Sequence, residues 1–306
     1  MTEVLIGFAI IAIIIGVGYG VGLAGMLGKE SHAALARLIY FVLSPCLLFG
    51  IMAQATASQL FSPLVIISVL AAASAMAIYA AIARLRWHRP VNTVVIGALS
   101  AGYVNANNMG LPVATYVLGD AAYVAPVLLV QLLIFAPVSL TILDAYASGR
   151  FSWRLLAMAP LKNPIIIASF LGMVVGLLDI PTPRVIMEPV LIIGAAAVPM
   201  MLLNYGISLP GQKVLQAGSE RKEVILSSVI KLVWMPLVAY LITLLIPGMS
   251  HADVFAVVAL AALPTAQNIY NYAQRFRSGE VLARDTIFIT TFGSLGIMLL
   301  VAALLR

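Results

Sequence analysis

The stretch NANNMGLPVATYVLGD, residues 105–120, decides how this chain is read. It holds three asparagines, two glycines and a proline, yet almost everything around it is apolar. Of 306 residues, 63% are hydrophobic and 9% are charged, and the mean hydropathy is +1.10. A soluble domain carries roughly 25% charged residues, so this composition belongs to lipid. Runs long enough to cross a bilayer, which takes roughly 20 apolar residues, recur at 4–22, 64–83, 165–178 and 287–305. The first run has no basic stretch before it and is too long for a signal peptide, so it reads as a membrane helix. In such a chain a polar, helix-breaking stretch needs a reason.

Apolar runs and their polar breaks divide the chain into ten segments. They are 3–27, 33–54, 62–83, 90–119, 122–146, 164–179, 186–208, 222–246, 252–276 and 282–305. Alternate loops collect the positive charge: Lys29 and Arg37; Arg84, Arg86 and Arg89; Arg150, Arg154 and Lys162; Lys213, Arg221 and Lys222; Arg275, Arg277 and Arg284. The opposite loops hold only Arg184, with Arg306 at the terminus. Basic loops stay in the cytoplasm, which predicts both termini outside. The net charge of +6 is therefore a matter of topology, and no nucleic-acid partner is expected.

The quoted stretch has a counterpart. Segment 9 carries LPTAQNIYNYAQRF at 263–276, again polar and proline-containing near its middle. Segments 2 and 7 also resemble each other, in FVLSPCLLFGIMAQ and AAAVPMMLLNYGIS, with Pro45 matching Pro199. Both pairs are five segments apart. Five is odd, so the second copy enters the membrane from the opposite side, which is the inverted-repeat plan of secondary transporters. The expected organisation is a first repeat over 1–149, a connector over 150–163 and a second repeat over 164–306. Phe151, Trp153 and Leu155 would lay the connector as an amphipathic helix on the cytoplasmic surface.

Irregular backbone survives in a bilayer only inside protein or beside water. Two broken helices at matching positions therefore point to a transport site. Gly110 and Pro112 are the expected break in segment 4, and Pro264 that in segment 9. The half-helices that follow would present N-terminal partial positive charge to the bilayer centre, which suits an anion. Asn105, Asn107, Asn108, Gln267 and Asn268 are the candidate substrate-binding amides, able to donate to a carboxylate without burying another full charge. The competing reading of one such helix, a kink with asparagines as interhelical glue, does not account for a matched pair.

Lys231 is the remaining candidate. Nine residues beyond Lys222, at about 1.5 Å each, it lies roughly 13 Å deep. A cation there could offset an anionic substrate, hold a carboxylate such as Asp144 or Asp285, or snorkel back to the surface. Gly16, Gly18, Gly20 and Gly22 read as close helix packing. The single cysteine, Cys46, permits no intrachain disulfide. His32, His88 and His251 are scattered without ligand spacing, so neither an enzyme nor a resident metal or cofactor is expected.

These residues together resemble the auxin efflux carriers and their bacterial relatives. NANNMGLP is similar to the family pattern Asn-x-x-x-Met-Gly-(Ile/Leu)-Pro, and LPTAQNIYNYAQRF to its second polar motif. KNP at 162–164, SPCLLF, GAAAVPMMLLNYGISL, and the basic residue five before a proline (Lys231 and Pro236) also match. The resemblance implies an all-α polytopic membrane protein with ten transmembrane helices, in which broken segments 4 and 9 cross. It implies an elevator-type carrier, often a homodimer, with segments 1, 2, 6 and 7 as scaffold and 3–5 and 8–10 as transport helices. By the same resemblance Asn105 contacts substrate, and Pro112 and Pro264 mark the crossing. The long cytoplasmic loop of plant members is absent, which places the chain with bacterial carriers in the cytoplasmic membrane. The substrate implied is a small dicarboxylate such as malonate or malate, or an auxin-like carboxylate, with sodium or proton coupling left open. A sodium-coupled symporter of the bile-acid type is the alternative within transport. A receptor or an intramembrane protease is the alternative outside it.

Overall fold

The computed structural model of the protein describes residues 2–28, 30–54, 63–149, 161, 163–210 and 220–305. Regular structure among them is helical throughout. In chain order the helices are α1 (Thr2–Leu23), α2 (Ser31–Gln54), α3 (Pro63–Arg86), α4 (Val91–Gly102), α5 (106–118) and α6 (Ala121–Ser148). There follow α7 (Pro164–Leu177), α8 (Arg184–Ser208), α9 (Arg221–Thr243), α10 (His251–Ala261), α11 (Asn268–Arg275) and α12 (Glu280–Leu305). Six of them, α2, α3, α6, α8, α9 and α12, are long and apolar enough to cross a membrane. The amphipathic connector expected around Phe151, Trp153 and Leu155 lies outside the described residues.

Prolines inside these helices do not end them. Pro45, Pro112, Pro137 and Pro236 each follow, two residues on, a wide π-type turn: Ile39–Leu43, Ala106–Gly110, Gln131–Phe135 and Ile230–Trp234. Proline lacks an N–H and clashes with the carbonyl four residues back. A widened turn there absorbs the missing bond and the clash while the helix runs on.

The chain forms two compact units. The first comprises residues 1–62, 107–129 and 158–212. Here glycines let backbones touch. A Cβ on Gly18 would strike the Leu203 carbonyl, and one on Gly206 would strike that of Ile15, so α1 and the second half of α8 pack with nothing between them. Gly22 meets the Ile207 carbonyl on the same face, whereas Gly16 and Gly20 face open space. Gly172 and Gly176 of α7 lie in the same way on the backbone of α2, at Phe49 and Met52. In a bilayer, where lipid removes the hydrophobic drive for association, small residues at such contacts supply the packing. Helix α7 begins at an Asn cap: Asn163 Oδ1 accepts from the N–H groups of Ile165 (2.9 Å) and Ile166 (3.4 Å), with Pro164 in the first turn. Helix α5 ends at Gly119, whose φ of +83° suits a residue without Cβ.

The second unit comprises residues 63–106, 130–157 and 213–306. Its core joins Ile96, Leu99 and Tyr103 from the α4 stretch to Ala136 and Leu143 of α6, Ile269 and Ala273 of α11, and Ala283 of α12. The Tyr79 ring of α3 fills the space over Gly97 of α4, which no side chain could share. Trp234 of α9 donates to Ser74 of α3 at 3.3 Å, and the Ser227 and Thr286 hydroxyls join α9 to α12 at 2.7 Å.

Candidate functional site

Two gaps in the helices of the second unit carry the site. Helix α4 ends at Gly102 and α10 at Ala261, and in both cases the chain runs extended before turning helical again. The extended pieces pair with each other. Val104 and Thr265 form an isolated antiparallel bridge. The Asn105 N–H donates to the Pro264 carbonyl at 2.8 Å, and the Ala266 N–H to the Tyr103 carbonyl at 3.1 Å. Backbone groups that the two helices have lost are thus satisfied across the gap, as burial demands.

The bridge sets which carbonyls are orphaned. In an unbroken helix Val104 N–H would serve Ser100, and Thr265 N–H would serve Ala261. Instead the Thr265 hydroxyl donates to the Ser100 carbonyl at 2.6 Å. The Thr265 N–H turns to the Thr290 hydroxyl at 3.1 Å, and Thr290 donates in turn to the Thr286 carbonyl at 2.7 Å. The Ala261 carbonyl receives the Lys231 ammonium at 2.7 Å. All of these groups are buried.

This geometry relocates the first break. Gly110 and Pro112, expected to be the break, sit in continuous helical backbone, Gly110 at φ −66° and ψ −45°. The extended piece lies upstream, at Tyr103, Val104 and Asn105, because the wide turn over Ala106–Gly110 accommodates Pro112. The half-helices that follow the gaps begin at Ala106 and Asn268, earlier than the position after Pro112 and four residues after Pro264. Pro264, by contrast, lies in the extended piece and accepts the bond from Asn105.

The expected amides fall at or just past the gaps. Asn105 is 4% exposed, and its backbone belongs to the bridge. Gln267 immediately precedes α11, without a side-chain capping bond, and is half-buried with Asn268, whose Nδ2 donates to the Tyr272 hydroxyl at 3.2 Å. Asn107 and Asn108 follow in the chain, within the first unit. There Asn107 Nδ2 donates to Asn108 Oδ1 at 2.9 Å, and Asn107 Oδ1 is buried with no partner among the described residues. The same unit has an open cavity of about 340 Å³ lined by Cys46, Gln54 and Asp120 among others, but none of the expected site residues lines it.

Lys231 neither snorkels nor pairs with the suggested carboxylates. Its exposure is 0%, and besides Ala261 it donates to Met235 Sδ at 3.2 Å. Asp144 lies 3.4 Å from Arg275 and Asp285 2.8 Å from Arg284. Ser100, Thr265 and Thr290 escaped sequence reading, since lone hydroxyls in apolar helices are too common to stand out. Thr265, next to Pro264, carried the one usable signal.

These gaps can be set beside known proteins. A family model described as membrane transport protein, that of the auxin efflux carriers, matches residues 4–152 and again 150–302. The chain belongs to this family. As a member it is a multi-pass membrane transporter, and the family is not one of enzymes. No curated protein matches it.

Proposed function

We propose that this auxin efflux carrier family member is a secondary carrier of a small organic anion in the bacterial cytoplasmic membrane. It works by elevator-type alternating access, with both termini outside. Its ten membrane segments form two inverted five-helix repeats whose broken members, α4–α5 and α10–α11, cross at the gaps. Several features support the reading: basic loops alternate, the two gaps fall at matching places, and they pair about Val104 and Thr265. The first compact unit contains α1, α2, α7 and α8, the set assigned above as scaffold, together with residues 107–129.

One observation carries the preference for an anion. At the carbonyl ends of α4 and α10, which would draw a cation, the Ser100 and Ala261 carbonyls already hold the Thr265 hydroxyl and the Lys231 amino group. Beside them lie the N-terminal end of α11 and the amide residues Asn105, Gln267 and Asn268, groups whose chemistry suits a carboxylate. Malonate and malate are the first candidates, an auxin-like carboxylate the next. Uptake of labelled malonate, malate and indole-acetate into proteoliposomes, with and without sodium or proton gradients, tests this. Saturable uptake of one of them is expected. Absence of flux for all three under every gradient would overturn the reading.

A further inference from the structure

The Ala261 carbonyl poses a specific electrostatic problem. It closes a helix of eleven residues whose C-terminal end carries roughly half a negative charge, and it lies buried. The N–H that would have satisfied it belongs to Thr265 and is committed to Thr290. Carbonyls gathered at such an end, at the centre of a broken membrane helix, are what a coupling cation binds in carriers that use one.

Here a side chain fills the position. Lys231 projects from the widened turn Ile230–Trp234 of α9, places its ammonium 2.7 Å from the Ala261 carbonyl, and is wholly enclosed. Among the described residues it makes no ion pair with a carboxylate, and its acceptors are the Ala261 carbonyl at the helix end and Met235 Sδ. The matching carbonyl at the other gap, Ser100, receives a neutral hydroxyl instead. The two gaps are alike in backbone pairing but differ in charge.

We propose that Lys231 is a tethered cation. Its ammonium takes the place at the C-terminal end of α10 that a free monovalent cation would otherwise occupy, and so keeps the gap assembled without an added ion. This deepens the carrier reading, on which it rests for its meaning, and implies that the carrier has no sodium requirement at this position. It also makes Lys231 a positioning residue for the gap and not a direct ligand of the anion.

The test needs no substrate, so its failure is distinct from failure of the anion assignment. Thermal unfolding of the purified protein is followed in choline, sodium and propylammonium chlorides at equal ionic strength. Wild type should unfold at the same temperature in all three. Lys231→Met, which keeps the volume and removes the charge, should lose about 2–6 °C, since a buried carbonyl is left without a donor. Lys231→Ala should lose at least as much and regain it saturably with propylammonium or sodium but not with choline, because a small cation can enter the vacated space. Lys231→Met as stable as wild type would overturn the proposal. So would Lys231→Ala that gains nothing from either small cation, or a saturable sodium-dependent stabilisation of wild type, which needs no variant to fold.

Discussion

The backbone N–H of Asn105 donates to the carbonyl of Pro264, 159 positions along the chain, at 2.8 Å. The main chain of Asn105 ties the gaps together, and its side chain is the one proposed above to meet substrate. Asn105→Ala keeps the N–H and should unfold within a few degrees of wild type while losing flux at least about tenfold, the scale of one hydrogen bond to a charged group. Proteoliposome uptake read beside thermal unfolding separates the two roles. Wild-type flux in Asn105→Ala would remove the side chain from the site.

Thr265 offers the cleanest measure of what the bridge is worth. Its hydroxyl is the donor to the buried Ser100 carbonyl, while its N–H is held by Thr290. Thr265→Val preserves shape and strands that carbonyl, at a cost of about 1–3 kcal/mol. Thr265→Ser retains the hydroxyl and should recover most of the loss. The comparison is of unfolding temperatures in detergent, and equal values for Val and Thr would show that the hydroxyl contributes nothing.

Four of the five glycines of α1, Gly16, Gly18, Gly20 and Gly22, should split into two classes. A Cβ on Gly18 meets the Leu203 carbonyl and one on Gly22 the Ile207 carbonyl, and backbone atoms cannot swing aside. Gly18→Ala should push α1 from α8 and cost about 1–3 kcal/mol. Gly16→Ala and Gly20→Ala meet nothing within 4 Å and should be neutral or slightly stabilising, alanine being the better helix former. Unfolding temperatures of the single variants check the division.

Much of this architecture was legible in the sequence because lipid imposes simple rules. Apolar run length and the alternation of basic loops gave helices whose bounds fall within a few residues of those observed, and two polar interruptions flagged α4–α5 and α10–α11. The exact gap was not legible. Pro112 is the strongest local breaker in its segment, yet Pro45, Pro137 and Pro236 show that this chain absorbs proline with a widened turn. The real gap at residues 103–105 exists because Thr265 and its neighbours, distant in sequence, take up its backbone bonds. Lys231 was legible as a deep cation. Its partner was not, since a backbone carbonyl becomes an acceptor for a side chain only once the gap has orphaned it.

The ion pair of Arg89 and Glu223 lies apart from the gaps and tests the second unit alone. Both Arg89 Nε and Nη2 reach Glu223 Oε1, Nε at 2.6 Å, while Oε2 is buried with no partner among the described residues. The carboxylate is 1% exposed but the guanidinium is 39% exposed, so water screens one member and not the other. Removing the arginine is then the more damaging change: Arg89→Ala leaves a buried charge uncompensated, for which we expect about 1–3 kcal/mol, below the full buried-pair figure because of that screening. Glu223→Gln removes the charge itself, keeps an acceptor for Arg89, and should cost less. The double variant should be closer to Glu223→Gln than to the sum of both losses, as expected for residues in contact. A double-mutant cycle of unfolding temperatures measures this. Additive losses would mean that the two side chains, though in contact, stabilise the unit independently.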